Sequence, residues 1–188
     1  MPPLSRRPDQ HLPQLYLKIV EKLENGSIDV GIVTLPVKSP SLKVQAMFRD
    51  KLVLMVSPKN PLAKYKVVPV SEILKYPLLF PKTGHTRRLL DRLFRGQNSD
   101  VQVRMELPSV GMIKSFVAAD LGVSLISASF ARDEAEAGRV RLIEMEDVEL
   151  WRELGLAYRR DRTLPRAATL FISTIREVSA KAKKQEQP

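Results

Sequence analysis

The sequence predicts an α/β protein of two lobes, in which a largely parallel sheet is covered by helices. Strand-like and helix-like segments alternate along the 188 residues. The block from about residue 60 to 140 contains enough of them for one lobe, so the segments before and after it must form the other lobe together. Such a lobe needs two crossing strands, and a cleft at the crossing is where small ligands usually bind. We expect a first lobe of residues 1–58 and 141–180, a second lobe of residues 59–140, and a solvated tail of residues 181–188.

The first lobe is predicted to open with a helix, because apolar residues recur there at helical spacing. These residues are Leu12, Leu15, Ile19 and Leu23. Gly26 can end the helix in a left-handed conformation. Strands are expected at 28–33, 42–48 and 51–57, with a two-residue link between the last two. The segment 57–70 is rich in proline and lysine, which favours an extended crossing and a hinge between the lobes.

The second lobe is predicted to start with a short helix that Ser71 caps. The elements expected after it are a strand at 77–80, a helix from about His85, a strand from Val101, a helix that Ser109 caps, and a strand at 121–127. A polar helix follows. The chain is expected to return through strands at 140–145 and 152–160 and to end in a helix from about Pro165.

Composition excludes several classes of function. The chain has no cysteine, so disulfides and thiolate chemistry are excluded. With two histidines, His11 and His85, we expect no structural zinc, no multi-histidine metal site and no cofactor. No apolar run approaches the ~20 residues that span a bilayer, and the N-terminal residues lack the apolar core of a signal peptide. The cytoplasm is therefore the expected location, with no membrane partner.

The formal charge of +10 raises the alternative of nucleic-acid binding. The cations concentrate at 82–95, at 159–162 and in the tail, with acidic residues between them. Aromatic residues make up 6% of the chain and do not interleave with the basic runs, so a platform for stacking bases is not indicated. We interpret the cations as solvated faces.

The stretch LLFPKTGHTRRLLDRLF, at 78–94, combines the end of a strand with a helix whose first turn is cationic and bears hydroxyl groups. It lacks the spacing of a nucleotide-binding phosphate loop. Unpaired N–H groups, the helix dipole and two threonine hydroxyls still make a modest site for a small anion.

Four motifs together resemble the effector-binding domain of LysR-type transcriptional regulators. In order, they are ENGSIDVGIV, FRDKLVLMVSPKNPLA, LPSVGMIKSFVAADLGVSLIS and LAYRRDRTLPRAATLFISTIRE, and the resemblance spans Leu15 to Glu177. It implies a two-lobed, periplasmic-binding-protein-like fold of type 2, with a small-molecule inducer or co-repressor between the lobes. It also implies oligomers, and DNA binding through an N-terminal helix-turn-helix.

Two departures from the family pattern bear on these implications. The chain shows no helix-turn-helix and no counterpart of the first strand and helix of the first lobe. We therefore expect an N-terminally truncated domain with an incomplete first lobe and an exposed sheet edge. It should not bind specific DNA sequences by itself, since no recognition helix is present to read base edges. Asp120 stands where the family usually has a glycine in left-handed geometry, which aspartate tolerates better than most residues.

The resemblance also implies where a ligand would be held. Hydroxyl groups at strand ends and helix N-termini suit an effector carboxylate or similar anion, because a neutral donor adds no charge that needs desolvation. By position, the candidate ligand-binding residues are Thr34, Ser57, Thr83, His85, Thr86 and Ser109. These residues also have structural alternatives. Thr83 and Thr86 can cap the following helix, and Thr34 and Ser57 can start turns. His85 can be an exposed loop histidine that does not sense protons.

The resemblance thus predicts a domain that senses a small anionic effector. We expect this domain to self-associate and not to be an enzyme. Two alternatives remain open. The fold also hosts enzymes such as prephenate dehydratases, in which a Thr-Arg pair acts at the cleft. Thr86-Arg87 is superficially similar to that pair, although the surrounding residues do not match. The fold also hosts solute receptors of transport systems, which would need an export signal or a lipid-anchored cysteine.

Overall fold

The computed structural model describes residues 14–95 and 101–185. The chain divides into two compact units. Unit 1 contains the described residues up to Met47 and from Gly155 onward, and unit 2 is Phe48–Leu154. The lobe boundaries drawn from the sequence stay a prediction.

Helices and strands alternate along the chain. The helices are α1 (Gln14–Glu24), α2 (Val70–Ile73), α3 (His85–Arg95), α4 (Val110–Ala118), α5 (Arg132–Glu136) and α6 (Arg166–Gln185). The strands are β1 (Val30–Thr34), β2 (Leu42–Val56), β3 (Val67–Val68), β4 (Leu78–Pro81), β5 (Val103–Leu107), β6 (Ser124–Ser127), β7 (Arg141–Met145) and β8 (Leu150–Arg159). Short 3-10 turns lie at Pro61–Lys64 and Ala128–Phe130. No helix in these ranges is long and apolar enough to cross a membrane.

Strand β2 corrects the prediction of two strands joined by a link at Arg49-Asp50. It runs without a break, and both charged residues have partners on β8. Arg49 lies 3.5 Å from Glu153, and Asp50 accepts a hydrogen bond of 3.2 Å from Arg152. Charges that look like a break in the sequence are therefore neutralised within the sheet. The chain passes between the units inside β2 and β8.

The segment 57–70 is not the extended crossing that its composition suggested, because it lies wholly in unit 2. It contains a 3-10 turn that Asn60 caps, and strand β3. Ser71 is not the cap of α2, since Pro69 occupies that position. The carboxylate of Asp147 instead accepts a 3.1 Å hydrogen bond from the amide of Val70, from 77 residues away.

The sheet is mixed rather than largely parallel. In unit 2, β2 pairs antiparallel with β6 and β7, whereas β3 pairs parallel with β7 and β4 pairs parallel with β5. An isolated parallel bridge joins Leu78 of β4 to Val123, just before β6. In unit 1, the strand order is β1, β8, β2. Alternation of strands and helices in the sequence did not reveal the antiparallel pairings of β2.

Unit 1 places α1 against the sheet. Its core contains Leu23, Val33, Leu42 and Ala157. Gly26 ends the helix segment with φ +76°, which confirms the predicted left-handed position. Helix α6 is tied to β2, where Arg176 donates to Gln45 at 2.8 Å and Ser179 donates to the carbonyl of Met47.

Unit 2 has an apolar cluster on each side of its sheet. Successive residues of β2 supply both, because side chains alternate along a strand. The cluster on the α3 side includes Leu52, Leu54, Val56, Phe80, Leu90 and Phe94. The cluster on the α4 side includes Met55, Leu79, Ile113, Val117 and Ile126. Alternation therefore places Asp50, two residues before Leu52, on the α3 side.

The turn between α4 and β6 brings the chain very close to β4. Asp120 adopts φ +60°, so an aspartate does hold the left-handed position expected there. A Cβ atom added at Gly122 would lie 2.5 Å from the carbonyl oxygen of Pro77, which accepts a hydrogen bond from the amide of Val123. Glycine is thus required by close approach of two strands.

We predict that Gly122→Ala lowers the free energy of unfolding by about 1–3 kcal/mol, because the new methyl group must push β4 and β6 apart. Gly111→Ala is the matched control, since among the described residues no atom beyond its chain neighbours and its own helix backbone lies within 4 Å of the position of its added Cβ. In that helix, alanine should leave stability unchanged or raise it by up to about 1 kcal/mol. Urea unfolding followed by circular dichroism measures both, and equal stability of the two variants would contradict the close approach.

Candidate functional site

The candidate site lies along one edge of the sheet of unit 2, namely the edge at which the strands β4 and β5 end. Strands β4 and β5 are parallel and end side by side, with Pro81 opposite Leu107 and the Lys82 amide donating to the Leu107 carbonyl at 2.8 Å. Helices α3 and α4 begin just after these strands. Strand β6 is antiparallel to β2, with Leu52 opposite Ser127. The edge therefore also carries the residues of β2 that precede Leu52.

A buried ion pair lies at this edge. The Arg152 Nη2 atom donates to Asp50 Oδ2 at 3.2 Å, and each residue is 9% exposed. Ser129 donates to the same carboxylate from its amide, at 3.3 Å, and from its hydroxyl, at 2.5 Å. Burial lowers the pKa of Arg152, and the neighbouring Asp50 acts in the opposite direction. The guanidinium remains the main buried cation of the edge.

Two buried polar atoms beside the ion pair have no hydrogen-bond partner among the described residues. One is Nε of Arg152, and the other is the hydroxyl of Ser127, a residue that is 1% exposed. Alternation along β2 puts Leu52 and Asp50 on one face, so Ser127 lies within about 7 Å along the strand direction of the Asp50 position. Buried polar groups are rarely left unsatisfied, and such groups are a feature of functional sites.

The turn after β6 covers the guanidinium of Arg152. The Phe130 ring, 40% exposed, lies with its centroid 4.3 Å from Arg152 Cζ. Lys114 of α4 fixes this turn by donating to the Phe130 carbonyl at 3.0 Å and pairing with Glu134 at 2.8 Å. The position of Phe130 over Arg152 thus depends on the ion pair between Lys114 and Glu134, which lies outside the sheet edge.

His85, the first residue of α3, faces the same cationic surroundings. Its pKa is lowered to about 4, first by burial and then by the charges of Arg88, Arg92 and Arg152. The Nδ1 atom lies 3.5 Å from Nη2 of Arg88. At neutral pH the imidazole is uncharged, and the positive charge is carried by the arginines.

The structure brings together four of the residues selected from the sequence. Thr83 is exposed before α3, His85 and Thr86 are half-buried in its first turn, and Ser109 caps α4 as predicted, accepting a 3.2 Å hydrogen bond from the Met112 amide. All four follow the carboxyl ends of β4 and β5. Their role in ligand binding stays a prediction.

The other two candidates lie elsewhere. Ser57 is buried at the far end of β2, where Val56 pairs with Arg141, and its hydroxyl accepts a 3.2 Å hydrogen bond from the Lys59 amide. That contact is the turn alternative considered for Ser57. Thr34 belongs to unit 1, where it ends β1 and is half-buried.

Sequence reasoning missed the buried ion pair. The two partners are 102 residues apart, and one of them was assigned to a link between strands. The available signal was a charged residue in each of two apolar strands, Asp50 before KLVLMV and Arg152 before ELGLA. Opposite charges in two strands that later pair are a hint of a buried contact.

The LysR substrate binding domain family matches residues 14–180. The chain belongs to this family. The resemblance found in the sequence is therefore confirmed. Among curated proteins, the chain is 24% identical over 154 residues to the RuBisCO operon transcriptional regulator of Allochromatium vinosum, with 81% of the chain and 51% of that protein covered. It is 24% identical over 156 residues to the HTH-type transcriptional activator CmpR of Synechocystis, with 82% and 51% covered.

Solved LysR-type domains share the fold. The effector binding domain of QuiR in complex with shikimate gives a TM-score of 0.71 at 22% identity, covering 87% of the chain and 78% of that domain. The Synechocystis CcmR regulatory domain in complex with 2-PG gives 0.76 at 23%, covering 87% and 79%. The effector binding domain of BenM with benzoate gives 0.74 at 21%, covering 92% and 78%. These similarities confirm the predicted α/β, periplasmic-binding-protein-like fold of type 2.

The lowered pKa of His85 predicts how the folded chain responds to acid. A folded-state pKa of about 4, below the ordinary 6.5, means that the unfolded chain binds the proton more readily. The contribution of His85 to stability is therefore complete above pH 6.5 and is lost as the pH falls towards about 4. His85→Gln should remove this part of the pH dependence of urea unfolding.

Proton NMR of the imidazole signals measures the same property directly. His85 should show no titration between pH 7.5 and about pH 5, and a His11→Gln variant assigns the signals, because the sequence has two histidines. Titration of the His85 ring near pH 6.5 would contradict the burial and cationic surroundings described above.

Proposed function

We propose that the chain is the effector-sensing part of a LysR-type transcriptional regulator, and that unit 2 binds a small anionic effector at the sheet edge that carries Arg152. The observation that supports this most strongly is a pair of buried polar groups that find no hydrogen-bond partner in the described part of the chain, Arg152 Nε and the Ser127 hydroxyl. Together they can donate to an anion from positions that the sheet holds fixed. A hydrogen bond to a charged group is worth about 1.5–3 kcal/mol.

The surroundings of Arg152 favour an anion over a neutral or cationic ligand. Arg88 and Arg92 act on the pKa of His85 in the same direction as Arg152, so the first residue of α3 lies in a positive field. The N-termini of α3 and α4 lie at the same edge and add the positive ends of two helix dipoles. In this arrangement, the hydroxyl groups of Thr83, Thr86 and Ser109 are suited to contact the parts of the effector that extend beyond its anionic group.

The solved relatives are consistent with this ligand class, since their structures contain shikimate, 2-PG or benzoate. The chain spans about half the length of the curated relatives it matches. DNA binding through a separate helix-turn-helix, self-association and a cytoplasmic location are therefore proposals about the regulator as a whole. The effector would act by binding one conformation of the domain better than another, because only differential affinity shifts such an equilibrium.

We propose that the chain has no catalytic activity. The Ser129 hydroxyl donates to Asp50, but that carboxylate also accepts a hydrogen bond from Arg152, so its oxygens are already engaged. Arg87, which follows Thr86, is occupied by Asp91 and Glu106 at 2.7 and 2.5 Å. These ion pairs of Arg87 support the proposal that Thr86 and Arg87 do not act together as they would in a dehydratase.

Isothermal titration of the 188-residue chain with benzoate, shikimate and inorganic phosphate tests the proposed site. We predict that at least one of them binds and that Arg152→Gln weakens binding by tenfold or more, on the order of 1.5–3 kcal/mol for a lost hydrogen bond to a charged group. Arg141→Gln is the matched control, because Arg141 is exposed and lies opposite Val56, at the end of β2 far from Asp50.

Equal loss of affinity in both arginine variants would indicate that the ligand senses overall charge and not this edge. Retained affinity in the Arg152→Gln protein, with its fold confirmed by circular dichroism, would place the ligand elsewhere and overturn the proposal.

A further inference from the structure

Arg152 uses only one of the two N–H donors on one side of its guanidinium. The Nε and Nη2 atoms point in the same direction, and together they can hold both oxygens of one carboxylate or two oxygens of one phosphate. Here Nη2 donates to Asp50, while Nε has no partner in the part of the chain that the structure describes. This pair of donors, Nε and Nη2, forms a fork that can bind two oxygen atoms but binds one.

Asp50 does not fill the fork because its carboxylate is turned towards Ser129. Oδ1 accepts from the Ser129 amide at 3.3 Å, and Oδ2 accepts from the Ser129 hydroxyl at 2.5 Å as well as from Arg152 at 3.2 Å. The shortest contact of Asp50 is therefore with the serine, and its contact with the arginine is long for a charge-assisted hydrogen bond.

We propose that Asp50 is an internal competitor for the effector. In the free protein, it neutralises Arg152, and an anion with two adjacent oxygens displaces it by taking both Nε and Nη2. Asp50 then stays bound to Ser129. This inference rests on the proposed function, and it names the ligand group as a carboxylate or phosphate that binds Arg152 with two hydrogen bonds.

The charges around the edge explain why such a competitor is useful. Without a counterion, Arg152 would be an unpaired charge on a side chain that is almost fully buried, which is costly. Asp50 offsets this cost in the free protein, so the edge stays folded before the ligand arrives. The same carboxylate repels any second anion, so it must lower the affinity for the effector.

Ser129 makes the exchange feasible. A buried carboxylate that lost its only partner would cost too much, but Asp50 retains two hydrogen bonds from Ser129. The turn that carries this serine is fixed by Lys114 through the Phe130 carbonyl. Ser129 is itself exposed, so its side chain can be altered without opening the core.

The test compares Asp50→Asn with the unaltered chain, using benzoate and inorganic phosphate as probes in isothermal titration. Removing the competing charge should tighten binding of at least one probe by about tenfold or more, because coupling between close charges is commonly larger than the 1.4 kcal/mol that tenfold represents. Glu153→Gln is the matched control, since this carboxylate follows Arg152, lies half-exposed and pairs with Arg49 instead. It should leave affinity unchanged within about twofold.

Ser129→Ala keeps the proposal testable if Asp50→Asn folds poorly. Without the serine hydroxyl, Asp50 depends more on Arg152, so binding should weaken severalfold, opposite in direction to Asp50→Asn. Arg152→Lys keeps the charge but loses the fork, and it should weaken both probes.

The outcomes separate the two proposals. Unchanged or weaker binding in Asp50→Asn, or unchanged or tighter binding in Ser129→Ala, overturns the competitor while Arg152→Gln still tests the site. If neither probe binds the unaltered chain or the Asp50→Asn protein, both the competitor and the anion site are overturned.

Discussion

The buried ion pair between Asp50 and Arg152 is the interaction on which the candidate site depends. It joins β2 to β8 and, through Ser129, also fixes the turn after β6. Leaving either charge buried alone would cost about 3–5 kcal/mol, so the pair holds these three parts of unit 2 in register. Yet Arg152 Nε and the Ser127 hydroxyl have no hydrogen-bond partner within residues 14–95 and 101–185. The same contact therefore supports the fold and holds the donors of the proposed anion site in place.

Much of the fold could be predicted from local signals. Helical spacing and caps located α1 and α4, and Gly26 and Asp120 hold the expected left-handed positions. The errors arose where a local pattern had a distant partner. Charges at 49–50 suggested a break, but their partners on β8 allow β2 to continue. Composition at 57–70 suggested an extended crossing, but a 3-10 turn and a pairing with β7 fold that segment back.

The candidate site was predicted only in part, for the same reason. Helix N-termini and hydroxyl residues are visible in the sequence, so Thr83, His85, Thr86 and Ser109 could be selected and do lie at one edge. The charged centre of that edge could not be found by spacing, because Asp50 and Arg152 meet across 102 residues. The family resemblance indicated an anionic effector but no particular binding atom. The structure adds a buried arginine, Arg152, whose Nε atom is the proposed donor to that effector.

The most direct measurement of that claim is the 15N–1H NMR signal of Arg152 Nε during titration of the chain with benzoate or phosphate. A hydrogen bond from Nε to the ligand predicts a large downfield proton shift and slowed exchange with water for Arg152, while exposed Arg139 stays unchanged. An Arg152 Nε signal that does not move while the ligand binds, or that moves no more than the signal of Arg139, would contradict an anion site at this buried arginine.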